Sequence, residues 1–377
     1  MTQKRVLISG AGIAGSTVAY WLARSGWQVT VVEKAAETRS SGNPIDVRGD
    51  AAAVVRRMAL WPALQRVATD VRRLVVVDAA GRPKAIMPTN QSADPAAELE
   101  VPRAELAAAL LGAARGAAEI IVGDSIRELA QDADGVDVRF VEGPARRFDL
   151  VLGADGLHSG VRQIAFGPES LFARPFGMFV GTMHTAIAGG DPHELRLYNQ
   201  PGISLAIHPA TGNPLAAFIF RSAAPYDHRD PDARKRLVEA AYSGRGWVTD
   251  QAVSEWLATD DVYFDAVTRI TMPTWTKGRI SLLGDAADCI SLLGEGSSNA
   301  IVAAKTLADA LAAGPDVQIA LAGYETTHRR RLRTFQRRAS ANSHLLVPAT
   351  GLGLGMRDTG LRIASKLSRS RAEASRS

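Results

Sequence analysis

The chain holds a single cysteine, Cys289, so no internal disulfide can form and no thiol cluster can gather a zinc ion. No stretch approaches the ~20 apolar residues that a membrane-spanning helix needs. The first apolar run is only a strand long, too short for the core of a secretory leader. Internal repeats and low-complexity tracts are also missing. These absences lead us to expect a cytoplasmic protein without stable membrane insertion. The 46% hydrophobic and 22% charged content suits a globular enzyme, and 377 residues suffice for two to three domains of about 150 residues each. Of the net charge of +5, the end from Tyr324 onward supplies twelve Lys/Arg against Glu325, Asp358 and Glu373, which leaves the body acidic by four. The run Arg329-Arg330-Arg331-Leu332-Arg333 has no interleaved aromatics, so it reads as a solvated helix face, and no nucleic-acid partner is expected.

What is present is concentrated in the first thirty-odd residues. Val6-Leu7-Ile8 reads as a short buried strand running into Gly10-Ala11-Gly12-Ile13-Ala14-Gly15. A helix is expected over 16–25, then a second strand over Val29 to Val32 that ends at Glu33 and Lys34. This is the dinucleotide fingerprint in its strand–turn–helix context. Gly10 permits the sharp turn, Gly12 lets the backbone approach a pyrophosphate, and Gly15 lets helix and strand pack closely. The helix N-terminus offers unpaired N–H groups and a partial positive charge to that pyrophosphate. Glu33 can accept hydrogen bonds from two ribose hydroxyls and would repel a ribose phosphate, which favours FAD or NAD over NADP at this site.

Two further strand ends carry the same kind of chemistry. The strand from Phe148 ends in Gly153-Ala154-Asp155-Gly156, and the strand from Arg279 ends in Gly284-Asp285-Ala286-Ala287. Each puts a carboxylate at the carboxyl end of a sheet, where α/β cofactor sites lie. Asp155 suits either the orienting of neighbouring groups or the capping of a turn at 159–164. Asp285 suits either a ribityl hydroxyl or a cap. Gly294-Glu295-Gly296-Ser297 then opens a helix expected from about Ser298. Arg48, in Ile-Asp-Val-Arg-Gly, could reach a cofactor or pair with Asp46 or Asp50, and Arg103 follows Val101-Pro102 at a helix entry. Residues 171–274 read differently, as successive strands with helices near 231–242 and 247–257. We therefore expect a discontinuous α/β cofactor domain over 1–70, 101–170 and 275–345. A mainly antiparallel substrate domain over 71–100 and 171–274 is inserted into it, with a C-terminal helix and tail over 346–377.

Taken together, the three glycine–acid stretches, Arg48 and Arg103 resemble the FAD-dependent aromatic hydroxylases of the p-hydroxybenzoate hydroxylase fold over roughly residues 4–340. The tetracycline-destructase-like branch is the nearest match. The resemblance implies a single-component monooxygenase. It would hold FAD on one Rossmann-like domain, draw electrons from NADPH or NADH as a transient reductant, and hydroxylate an aromatic or polycyclic small molecule through a flavin C4a-hydroperoxide. It also implies that Glu33 binds the adenosine ribose, Arg48 and Arg103 the phosphate–ribityl region, Asp285 the ribityl chain, and the helix start at 294–296 the flavin edge. His184 and His208 fall on the middle sheet where the family meets substrate, and Arg196, Arg221 and Leu292 join them as substrate candidates; no metal site is expected. The run 288–296 departs from the family pattern, with Glu295 where glutamine is usual and no proline. That departure keeps open two alternatives, a structural flavin serving a non-redox step such as cyclisation, or a sensor without turnover. A monomer or homodimer is expected.

Overall fold

In a computed structural model, the structure describes residues 3–36, 44–89, 97–228, 230–289, 296–314 and 316–360. The chain opens with β1 (Arg5–Ser9), α1 (Ile13–Arg24) and β2 (Gln28–Glu33), then β3 (Ile45–Arg48), α2 (Gly49–Arg57) and α3 (Trp61–Val67). A hairpin of β4 (Arg73–Val77) and β5 (Pro83–Pro88) precedes β6 (Glu98–Val101), α4 (Arg103–Arg115) and β7 (Glu119–Val122). Next come β8 (Ile126–Gln131), β9 (Val136–Phe140), β10 (Arg146–Phe148), β11 (Leu150–Gly153) and α5 (Gly160–Phe166). The middle of the chain forms β12 (Ala173–His184), β13 (Glu194–Gln200), β14 (Ile203–His208) and β15 (Leu215–Arg221), followed by α6 (Pro231–Tyr242), α7 (Thr249–Ala258) and β16 (Val262–Ile270). It ends in β17 (Thr276–Lys277), β18 (Ile280–Leu282), α8 (Gly296–Ala313) and α9 (Val317–Leu346).

The first sheet has the order β17-β18-β11-β1-β2-β7, with every pairing parallel except that of β17 with β18. Val6, Leu7 and Ile8 in its centre are fully buried, because both faces are covered, with strand residues Val136, Val138 and Phe148 sharing the core, and no solvated side is left for alternation. The second sheet, β16-β12-β15-β14-β13-β4-β5, is antiparallel apart from the β13–β4 pair. β6 belongs to neither; it pairs with β3 in a two-stranded ribbon.

Alternation along β12 assigns the faces of the second sheet. Phe179 and Met183 pack with Phe218, Tyr242 and Trp256 under α6 and α7. Gly181 sits between them because a Cβ there would lie 2.8 Å from the Trp256 ring. Met178, Val180, Thr182 and His184 therefore point the other way, as do Tyr263, Asp265 and Val267 of β16. That second face looks toward the parallel sheet. Arg329 of α9 pairs with Glu325 at 2.8 Å, and Arg331 pairs with Asp50, so part of the basic run packs against the body.

α1 begins at Ile13, three residues before the glycine spacing suggests. Gly15 lies inside its first turn, where a Cβ would come 1.9 Å from the Gly10 carbonyl oxygen. The close packing expected of Gly15 is therefore made from inside the helix.

Candidate cofactor and substrate site

The register of the parallel sheet brings the three glycine–acid stretches to one place. Ser9 pairs with Gly153, and Gly153 pairs with Leu282, so the chain leaves β1, β11 and β18 side by side. Side-chain packing closes the junction. A Cβ on Gly10 would lie 2.5 Å from the Ala154 oxygen, and one on Gly284 would lie 2.9 Å from the Cβ of Ala14. Gly10 and Gly284 also have φ of +100° and +62°, where only glycine is unstrained. The strand order reverses across this junction, the crevice where open α/β sheets bind ligands.

The start of α1 leaves helix N–H groups uncapped. Gly12 occupies the N-cap with no side chain to cap the helix, and no acid lies in the first turn. Ile13 and Ala14 are nevertheless buried, so the first-turn N–H groups need an outside acceptor. Nothing lies within 4 Å of the position a Gly12 Cβ would take, and that space is open for one. Glu33, at the end of β2, receives the Ala11 and Ala35 N–H groups at 2.9 Å each, one on each carboxylate oxygen. Those bonds fix its orientation and leave lone pairs for ribose hydroxyls. Lys34 beside it is exposed.

Asp155 receives the hydroxyls of Ser159 at 2.5 Å and Ser9 at 3.3 Å and the Val161 N–H at 3.1 Å. Burial pushes its pKa up against those bonds. The α5 cap is Ser159, which accepts from the Arg162 N–H, so Asp155 acts one step back by holding the cap. Gly156 has φ +80° with open space around it. Asp285 is half-buried, and burial raises its pKa while the Arg103 charge and a Cys289 thiol bond oppose the rise. Arg103 is exposed at the first residue of α4 and has no hydrogen bond or ion pair to the described residues. Arg48 lies 3.7 Å from Glu98 across the β3–β6 ribbon. Gly296 begins α8, with Asp285 Oδ1 3.8 Å from where its Cβ would be, and Ser297 is buried behind it. Leu292, Gly294 and Glu295 lie outside the described residues. The pKa of Cys289 is raised by burial and by neighbouring Asp285 and Asp288, which leaves the thiol protonated and inert.

The substrate candidates are placed unequally. Thr182 Oγ1 and His184 Nδ1 are buried on the inward face of β12 without a hydrogen-bond partner among the described residues. Tyr263, the cross-strand partner of Thr182, is 39% exposed beside them and feels the charges of Arg103 and Asp285. His208 shares this face but is engaged: its Nδ1 accepts from the Ala210 N–H at 2.9 Å, so its Nε2 donates to Glu100 at 3.3 Å. Arg221 donates to the Val347 carbonyl at 2.8 Å. Arg196 pairs in register with Ile207, which is in the core under α6 and α7, so it lies on the opposite face.

Sequence reasoning passed over one buried charge network. Arg162 is fully buried and donates to the Ala286 carbonyl at 3.0 Å and to Glu169 at 2.8 Å. Glu169 holds His158 Nδ1 at 3.1 Å, and His158 Nε2 meets Asp265 of β16 at 3.0 Å. The available signal was Arg162 itself, an arginine on the apolar side of a short helix that needs a carboxylate partner.

This fold and cradle define a flavoprotein. The profile described as "FAD binding domain" matches residues 3–339, and the chain belongs to that family. An uncharacterized protein of Mycobacterium tuberculosis is 38% identical over 336 residues, covering 85% of this chain and 88% of its own. A flavin-dependent monooxygenase of Legionella longbeachae is 32% identical over 318 residues, covering 81% of this chain and 80% of its own. The crystal structure of tetracycline destructase Tet(51) superposes with a TM-score of 0.83 at 26% identity, covering 97% of this chain and 98% of that one. The protein is an FAD-dependent monooxygenase of the p-hydroxybenzoate hydroxylase type, near the tetracycline destructases.

Proposed function

We propose that the protein takes electrons from NADPH or NADH and hydroxylates a small aromatic or polycyclic molecule held between the second sheet and the cofactor cradle. The observation that carries this reading is the pair of buried, unpartnered polar atoms, Thr182 Oγ1 and His184 Nδ1, on the face turned toward the cofactor stretches. Buried polar groups are normally satisfied, so these two call for a ligand's oxygen or nitrogen atoms. On this reading residues 1–70, 101–170 and 275–345 form the cofactor unit, and 71–100 with 171–274 the substrate unit.

The uncapped first turn of α1 would bind the pyrophosphate of FAD, Glu33 its adenosine ribose, and Arg103, with Arg48, the phosphate–ribityl region. Asp285 would take the ribityl hydroxyls, and the N-terminal end of α8 would face the flavin ring. Bound FAD supplies the redox chemistry: it accepts a hydride and activates dioxygen for transfer of one oxygen atom. The chain's own work is orientation and exclusion of water. Of the substrate candidates, His184 would contact substrate, joined by Thr182 and Tyr263 on the same face, while His208 and Arg221 hold the fold around it. Tet(51) is named a tetracycline destructase, which makes tetracycline a sensible first member of a panel of polycyclic phenols.

The test is an anaerobic titration of the FAD-loaded protein with NADPH and NADH, followed by oxygen and the panel. Bleaching of the flavin, with mass analysis showing one added oxygen atom in a panel compound, is expected. A flavin that neither nucleotide reduces, with or without the panel, refutes the reading.

A further inference from the structure

We propose that His158, which bridges Glu169 and Asp265, is a positioning residue that fixes edge strand β16, and with it Tyr263, over the Asp285 end of the cofactor site. The inference rests on the functional reading above, because the placement matters only if a flavin and substrate meet there.

β16 is the outermost strand of the second sheet, and β12 is its only strand partner among the described residues. Even that pairing is interrupted by a register shift between Pro175 and Phe179. An edge strand held on one side and broken in register needs another restraint if a side chain on it is to keep one position. Three restraints are visible among the described residues. At the far end of the strand, the Ile270 N–H donates to the Cys289 carbonyl at 3.1 Å. On the α6 side, Tyr226 donates to the Phe264 carbonyl at 3.4 Å. On the cofactor side, Asp265 is 8% exposed and meets His158 at 3.0 Å. Asp265 and Tyr263 are two residues apart on the same face, so whatever holds one places the other.

The restraint reaches the cofactor loop through alternating charges. Asp265 meets His158, His158 meets Glu169, Glu169 meets Arg162, and Arg162 donates to the Ala286 carbonyl next to Asp285. The groups facing His158 among the described residues are Glu169 from the 169–171 turn, Asp265 from β16, Arg162 of α5 behind Glu169, and His228 from the segment before α6. The His228 ring stacks on His158 at 4.0 Å and 11°. With both ring nitrogens against carboxylates, the imidazole is held as a cation. Burial alone would lower its pKa, but the bonds to Asp265 and Glu169 lift it from 6.5 to about 9. The folded pKa is the raised one, so the restraint is complete below pH 6.5 and is lost as the pH rises through about 9. A neutral ring would leave the buried Asp265 carboxylate facing one donor fewer.

The experiment compares FAD-loaded wild type with His158→Gln and Asp265→Asn by hydrogen exchange of the β16 amides and by the visible circular dichroism of the bound flavin, from pH 6.5 to 10. In wild type, β16 exchange and the flavin dichroism are expected to change together through about pH 9. Both variants should show the high-pH behaviour already at pH 7, with β16 exchange at least tenfold faster, and should bind FAD within threefold of wild type. If one variant does not fold, the other decides, since Asn and Gln keep the volume of the groups they replace. Wild-type exchange and dichroism at pH 7 in a folded variant would overturn the proposal. A wild type that fails to bind FAD would instead sink the functional reading, and β16 exchange in the cofactor-free protein would still report on His158.

Discussion

Two glycines of one fingerprint should fail in opposite ways. Gly12 has φ −71° and ψ −169°, a conformation open to any residue, and its Cβ would meet nothing within 4 Å. Gly12→Ala should therefore leave the cofactor-free fold intact or stabilise it by about 0.4–1 kcal/mol, because alanine restricts the unfolded chain more than glycine does. The new methyl group would occupy the mouth of the uncapped α1 helix. Displacing the pyrophosphate from even one N–H group there forfeits a hydrogen bond to a charged partner, about 1.5–3 kcal/mol. That corresponds to roughly ten- to 150-fold weaker FAD binding. Gly15→Ala would instead put a methyl carbon 1.9 Å from the Gly10 oxygen, so α1 must move away from β1 and stability must fall. The assays are the thermal midpoint of the cofactor-free protein and an FAD titration followed by flavin fluorescence. Wild-type FAD affinity in folded Gly12→Ala would refute the pyrophosphate assignment.

Glu33→Ala should lower both stability and FAD affinity, because the carboxylate anchors the Ala11 and Ala35 N–H groups as well as the expected ribose; unchanged FAD affinity would remove the ribose role. Thr182→Val should hold or raise the stability of the cofactor-free protein, since it removes a buried unpartnered hydroxyl that costs about 1–3 kcal/mol. The same change should raise KM for any compound turned over, and an unchanged KM would take Thr182 out of the substrate site. His328 is 4% exposed, and burial together with the Arg331 charge depresses its pKa from 6.5 to about 4. The unfolded chain takes up that proton first, so stability should decline as pH falls from 6.5 toward 4. Urea midpoints for His328→Phe should lose that part of the acid limb if the buried neutral ring is its cause.

The cofactor half of the protein was legible because its chemistry is carried by glycines and acids at strand ends, and parallel register then brings them together without further instruction. The start of α1 was misjudged for a local reason. The close packing expected of Gly15 is made from inside the first turn of α1, against Gly10, so the helix starts before Ser16. Arg48 finds Glu98, and Asp50 finds Arg331, partners supplied by a strand and a helix distant in sequence. The same holds for His158, whose carboxylates come from a turn and from an edge strand. A lone histidine carries no spacing pattern, so nothing short of the fold reveals that network. On the second sheet, the family resemblance brought His184 and His208 to the middle sheet, but that His208 is already occupied by Glu100 and Ala210 depends on β6 arriving beside it.

The pairing scheme of the parallel sheet also dictates when the protein can first become itself. Val6 pairs with Leu150, and Val151 pairs with Ile280. During synthesis β11 therefore presents an unclaimed edge while β12 to β16 are translated, and that edge is a template for misjoining with other chains. The Gly10, Ala154 and Gly284 junction closes only after β18 leaves the ribosome, so the nascent chain cannot seat its cofactor earlier. Capture of flavin thus waits for β18, and a product cut short before Ile280 should be both colourless and prone to clump.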